Sequence, residues 1–164
     1  MRPEFVLGID PGLAGTLCLL HGPTKSIQTI FDMPVADGRV DPYKLAQLIN
    51  QIHFLSDRDL HAVVEQVSSM PRQSGGFNFG ISAGMVHGVL GALSIPFTLV
   101  PPHQWKPAMG LRRLPNENQQ QNKSRARALA IELWPNEAHQ FKRVKDDGRA
   151  EAALLARYFA NKLK

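Results

Sequence analysis

The 164-residue sequence contains a single cysteine, Cys18, so an intramolecular disulfide is excluded. Cys18 stands inside the apolar run GTLCLL, the setting of a buried, reduced thiol, and this places the expected compartment in the cytoplasm. Long hydrophobic runs are also missing. Nothing approaches the roughly 20 apolar residues of a membrane span, and the opening MRPEFVLGID lacks the apolar core of a signal peptide. A membrane partner is not expected. Internal repeats and low-complexity tracts are absent as well, which leaves one folding unit over residues 1–164, long enough to bury a sizeable core. His103 and His139 have no cysteine or histidine at zinc-site spacing. Acids are the minority charge, 14 against 19 lysines and arginines, with a net charge of +5. Such a balance suits a polyanionic partner. The excess is concentrated between residues 106 and 127, where Lys106, Arg112, Arg113, Lys123, Arg125 and Arg127 face one acid, Glu117.

Turn residues punctuate what is present. Apolar runs at residues 5–9, 15–20 and 27–33, separated by DPGLA and HGPTK, predict an antiparallel three-strand meander. DPYKLAQLINQIHFL repeats leucine and isoleucine at helical spacing, with Asp41 as N-cap and Pro42 in the first helical position. LHAVVEQV is a β-branched strand carrying Glu65 near its end, and a small-residue helix follows over residues 78–93. PFTLVPP reads as a strand, HQWKPAMGL as a short helix and RRLPNENQQQ as an exposed, mobile loop. Two helices close the chain, NKSRARALAIELW with Asn122 as its cap and GRAEAALLARYFANKL. Strands alternating with helices after a meander predict an α/β layer structure with a mixed sheet.

The acids carry the chemistry. Asp10 ends an apolar run before Pro11 and Gly12, where an unpaired buried carboxylate would be costly. Taken singly, Asp10 reads equally as a turn residue bonding its own backbone, Glu65 as a solvated strand-edge charge, and Asp146 and Asp147 as acids at a helix N-terminus. Taken together they suggest a site. Ligands gather at strand ends in open α/β sheets, and Asp147 and Glu151, four apart, share one helical face on which like charges repel unless a cation lies between them. A hard divalent ion such as Mg²⁺ takes oxygen ligands of this kind. Two such ions about 4 Å apart can activate a water and stabilise the leaving oxygen of a phosphodiester.

With these motifs in view, GIDPGLAGT, VVEQV, AGMVHGVLGAL, LVPPHQWKPAMGL, NKSRARALA and DDGRAEAALLA occur in an order that resembles the RuvC-type Holliday-junction resolvases of the ribonuclease-H-like superfamily. The resemblance spans nearly the whole chain. It implies a single α/β domain over 1–164, a ribonuclease-H-like mixed five-stranded sheet with helices on both faces. It implies catalytic, metal-binding acids at Asp10, Glu65, Asp147 and Glu151, with Asp146 as the neighbouring alternative to Asp147. The familiar bacterial pattern places its last two aspartates three residues apart, whereas Asp147 and Glu151 are four apart. The same resemblance makes Lys106 the lysine approaching the phosphate and Lys123 a second functional lysine; by their charge, Arg112 and Arg113 are expected to follow the DNA backbone with Lys123.

The loop SSMPRQSGGFNFG supplies Arg72 and Phe77, and a phenylalanine face can stack on an unpaired base. The alternative is that Phe77 and Phe79 anchor the next helix in the core, and Trp105 is expected in the core or an interface. The implied activity is metal-dependent resolution of four-way DNA junctions in recombination and repair, with two Mg²⁺ or Mn²⁺ ions per active site. A homodimer is implied too, nucleoid-associated or viral and acting in a host cytoplasm. Another ribonuclease-H-like nuclease, cutting RNA·DNA hybrids or flaps, and a non-catalytic nucleic-acid-binding module are the competing readings.

Overall fold

A computed structural model of the chain describes residues 3–57, 59–66 and 76–163. The meander comprises β1 (Phe5–Asp10), β2 (Thr16–His21) and β3 (Ile27–Asp32), paired antiparallel with Gly8 opposite Cys18 and Asp10 opposite Thr16. A two-residue turn at Asp37 and Gly38, with φ of 50° and 71°, closes a small hairpin of β4 (Val35–Ala36) and β5 (Arg39–Val40). The Asp-Gly pair that permits such a turn was its sequence signal.

Helix α1 (Pro42–Leu55) starts where expected, with the Asp41 carboxylate accepting from the Tyr43 and Lys44 amides at 3.1 Å. β6 (Leu60–Glu65), α2 (Gly76–Ala92), β7 (Phe97–Val100), α3 (Pro102–Ala108), α4 (Gln119–Leu133) and α5 (Asp147–Lys162) complete the chain, with 3₁₀ turns at Pro135–Gln140 and Val144–Asp146. The five-stranded sheet runs β3-β2-β1-β6-β7, and β6 lies parallel to both β1 and β7. The mixed sheet expected from the motif order is therefore the one observed.

β1 is central and buried on both faces, which is why VLGI reads as an unbroken apolar run. Val6, with Cys18, Leu20 and Val63, faces α5 and Trp105. Leu7 and Ile9 face the other way, toward Leu45 and Ile49 of α1 and Val86 and Leu90 of α2. Helices thus cover both faces. Gly8 sets the closest approach, since a Cβ there would overlap the Ala152 carbonyl oxygen and stand 2.9 Å from the Ala156 Cβ. Glycine in β1 and alanines in α5 together let the helix settle onto the strand.

Two expectations need correction. Asn122 does not cap α4; the cap is Asn118, whose Oδ1 accepts from the Gln121 amide while the Gln121 side chain accepts from the Asn118 amide. This reciprocal capping box satisfies two otherwise orphaned donors, so the helix begins four residues earlier. The expected mobile loop at 112–121 also needs correction: it is exposed apart from the buried Glu117, but Arg125 of α4 binds the Arg112 carbonyl and residues 119–121 already belong to α4. Among the described residues no helix is long and apolar enough to cross a membrane.

Candidate active site

Parallel pairing of β1 with β6 brings their C-terminal ends to one edge of the sheet, with Ile9 beside Val64. Asp10 and Glu65 are the last residues of these two strands. The close seating of α5 on β1 delivers the third side. Gly148 lies so near the β1–β2 turn that a Cβ would stand 2.6 Å from the Ala14 carbonyl oxygen and 3.2 Å from Asp10 Oδ2. Asp147 and Glu151, on the first turns of α5, are thereby carried to the same edge, where α3 adds Trp105 and Lys106 and α4 adds Lys123 and Arg127.

Each acid has its own restraint. Asp10 Oδ1 accepts from the Gly12 amide at 3.2 Å, and Glu65 Oε1 accepts from Trp105 Nε1 at 3.0 Å. Glu151 Oε1 receives Lys106 Nζ at 2.7 Å. Asp147 is gripped by Arg127 Nη1 and stands 3.8 Å from Lys123 Nζ.

Three of the carboxylates feel one another. Burial, then the negative charge of Glu151, pushes the Asp10 carboxyl up to about 6, against the opposing pull of Gly12, Lys123 and Lys106. Glu65 is pushed up to about 7, again by burial first and by Glu151 next, with Asp10 adding to the effect. Burial works against the charge of Lys106, but Glu151, Glu65 and Asp10 outweigh it and hold its ammonium above the usual lysine range. A deficit of positive charge among buried oxygen donors is the condition that a hard divalent ion relieves. The donor set fits such an ion in chemistry. In this arrangement, however, no three described acids are gathered closely enough to hold one, and lysine, arginine and tryptophan donors engage them instead.

The other expected residues fall as follows. Asp146 is 1% exposed and turned to Arg143, which donates to it through its amide at 2.8 Å and its guanidinium at 2.9 Å. Asp147 is the one that stands with Lys123 and Arg127. Phe77 is 82% exposed on the first turn of α2, whereas Phe79 packs beside the Asp10 turn, 3.1 Å from where a Gly12 Cβ would be. Arg112 and Arg113 are exposed. Arg72 lies outside the described residues.

Sequence reasoning overlooked two contributors. Trp105 is fully buried, yet its N–H reaches Glu65. Arg127 is four residues beyond Lys123 on one face of α4, a spacing that could have flagged it.

Nearly the whole chain superimposes on solved structures. RuvC from Thermus thermophilus matches with a TM-score of 0.66 at 16% identity, covering 96% of each chain. The fold is that of RuvC. The same protein in complex with a Holliday junction substrate matches with a TM-score of 0.65 at 15% identity, again over 96% of each chain. The yeast mitochondrial Holliday junction resolvase matches with a TM-score of 0.57 at 20% identity, over 99% of this chain and 80% of its own. No family model and no curated protein matches the sequence.

Proposed function

We propose that the chain is a metal-dependent endodeoxyribonuclease that resolves four-way DNA junctions by paired hydrolysis of phosphodiesters, as a single domain over residues 1–164. The observation that carries this reading is that Asp10, Glu65 and Glu151 act on one another electrostatically at one sheet edge of a RuvC-like fold, with Asp147 one turn from Glu151 on α5. One of the structures sharing that fold is described as bound to a Holliday junction substrate. Asp10, Glu65, Asp147 and Glu151 would hold two Mg²⁺ or Mn²⁺ ions. When bound, such ions supply a water of lowered pKa and charge stabilisation for the departing oxygen.

The chain's own residues do the rest. The Gly12 amide aims Asp10, the Trp105 indole aims Glu65, and Arg127 and Lys123 hold Asp147 at the start of α5. Lys106 sits among the acids as a cation able to offset charge growing on the phosphoryl oxygens. Arg112 and Arg113 meet the sugar-phosphate backbone and make binding salt-dependent. Arg72 adds a cation to the segment ahead of Phe77, whose exposed ring is free to stack on a base at the junction centre. A homodimer supplies two symmetry-related sites, one for each of two strands of like polarity. The working compartment is cytoplasmic, in a cell or in the host of a virus.

Cleavage of a labelled four-way junction, its matched linear duplex and an RNA·DNA hybrid by the purified chain in Mg²⁺ tests the reading. Paired symmetric nicks confined to the junction are expected. Cutting of the hybrid while the junction stays intact would replace it with another ribonuclease-H-like activity. Two substitutions sharpen the assignment. Trp105→Phe keeps an aromatic body but removes the donor to Glu65, and single-turnover cleavage is expected to slow by about 10–100-fold, the usual cost of losing a group that orients a metal ligand. Phe77→Ala is expected to leave the melting temperature unchanged while weakening junction binding by about 10-fold, since a stacked base contributes on the order of 1–3 kcal/mol. Gel-shift titration of junction against duplex reads that loss, which should be absent for the duplex.

A further inference from the structure

Residues 109–118 join the helix carrying Lys106 to the helix carrying Lys123, and their outward face is Arg112, Arg113 and Leu114. A polar ten-residue connection would ordinarily sample many conformations and pay for ordering when it met a partner. This one is fastened from beneath by a single buried acid. Glu117 is 9% exposed, and its Oε2 accepts from the Leu114 amide at 2.9 Å and from Asn122 Nδ2 at 3.2 Å. Arg125 Nη1 donates to Glu117 Oε1 at 2.9 Å.

The two α4 side chains then reach along the loop backbone. Arg125 donates to the carbonyls of Gly110 at 2.9 Å and Arg112 at 3.2 Å, and Asn122 to that of Leu111 at 3.2 Å. Three successive carbonyls are thus fixed to α4, and the Leu114 amide to Glu117. Gly110 and Asn116, with φ of 75° and 61°, make the bends that this path requires. Arg113 is oriented directly, because its Nε donates to the Glu117 carbonyl at 2.9 Å and leaves the outer guanidinium nitrogens as a fork for another acceptor. Arg125 keeps about a third of its side chain exposed, and a partly exposed acid–base pair contributes little net stability of its own, so its effect is sought in the shape it imposes.

Resting on the junction-resolvase reading, we infer that Glu117 is a positioning residue that, through Arg125 and Asn122, presents Arg112 and Arg113 as a preformed contact for the phosphates of a junction arm. Both arginines are unshielded, and the loop that carries them is set before DNA arrives.

The test is a double-mutant cycle on junction affinity, measured across a salt series. Glu117→Gln keeps the side-chain volume but removes the charge that holds Arg125. Junction binding is expected to weaken about tenfold, and the slope of log K against log salt to flatten by about 1, the signature of a lost phosphate contact. In a background of Arg112→Ala and Arg113→Ala, the same substitution is expected to change affinity by less than about twofold, because the groups it positions are gone. Asn122→Ala, which cuts two ties and leaves the Glu117–Arg125 pair intact, is the milder second variant should Glu117→Gln fail to fold, and a smaller loss with a flatter slope is expected. An unchanged affinity and slope for both variants, or an equal loss in the two backgrounds, overturns the inference while leaving the resolvase reading standing. A wild-type chain that shows no preference for the junction overturns both.

Discussion

Asp10→Asn is expected to lower junction cleavage about a thousandfold and, in the same protein without added metal, to raise its stability above neutral pH. The first effect follows from the several kcal/mol that metal-assisted phosphodiester hydrolysis draws from a correctly held ion, each 1.4 kcal/mol being tenfold in rate. The second follows from burial. The Asp10 carboxyl is raised from 3.8 to about 6 by desolvation and by Glu151. Between those values the folded chain binds more protons than the unfolded chain, so stability falls as pH rises through this window, and the full penalty is reached above it. A shift of this size corresponds to roughly 2–3 kcal/mol.

Asparagine carries no charge to desolvate, yet its Oδ1 can still accept from the Gly12 amide. Thermal melts in chelator should therefore coincide for wild type and Asp10→Asn near pH 4 and separate by pH 8, with the variant higher. Glu65→Gln should behave alike over the window from 4.5 to about 7. Added Mg²⁺ should narrow the difference by stabilising the wild-type chain, since a ligand bound only to the folded state adds to its stability. An active, destabilised Asp10→Asn would mean that Asp10 is no more than a turn residue.

Gly8→Val is expected to be the most damaging substitution in the sheet. Even the first added carbon overlaps the Ala152 carbonyl oxygen and crowds the Ala156 Cβ, and backbone cannot rotate aside as a side chain can. Relief requires α5 to lift from β1. Overpacking of a tight core costs about 1–3 kcal/mol and more where backbone is the obstacle, which for a domain of this size lowers the melting temperature by roughly 6 °C or more. Because α5 also carries Asp147 and Glu151, cleavage should fail below the melting transition as well as above it. Circular dichroism melts with cleavage assays at a temperature where the variant is folded separate the two effects.

The strands and α1 were legible because their signals are local. Alternating apolar runs broken by DPGLA and HGPTK, and an Asp-Pro pair opening a helix, need no distant partner to act. The start of α4 was not legible in the same way. Asn118 and Asn122 are both suitable caps, and only the reciprocal bonding with Gln121 decides between them. Residues 112–121 read as mobile in sequence because they are polar, while the side chains that fasten the segment ahead of α4, Asn122 and Arg125, belong to that helix.

Among the site residues, Asp10 and Glu65 could be placed at strand ends from hydrophobic pattern alone. Which of Asp146 and Asp147 joins them depends on the helix start, because one residue of shift turns a side chain by about 100° around the axis. Arg143, which takes Asp146 for itself, gave no warning in the sequence. The closeness of α5 to β1 was equally hidden, since a glycine in a strand does not say what lies over it.

The most direct measurement is cleavage of a supercoiled plasmid carrying an extruded cruciform, in Mg²⁺ and in chelator, by the wild-type chain and by Asp10→Asn. Linear product formed by two nicks within one binding event, in Mg²⁺ only and by the wild-type chain only, is the result expected of a dimeric, metal-dependent resolvase. Linear product that persists in chelator, or that Asp10→Asn forms at the wild-type rate, would contradict it.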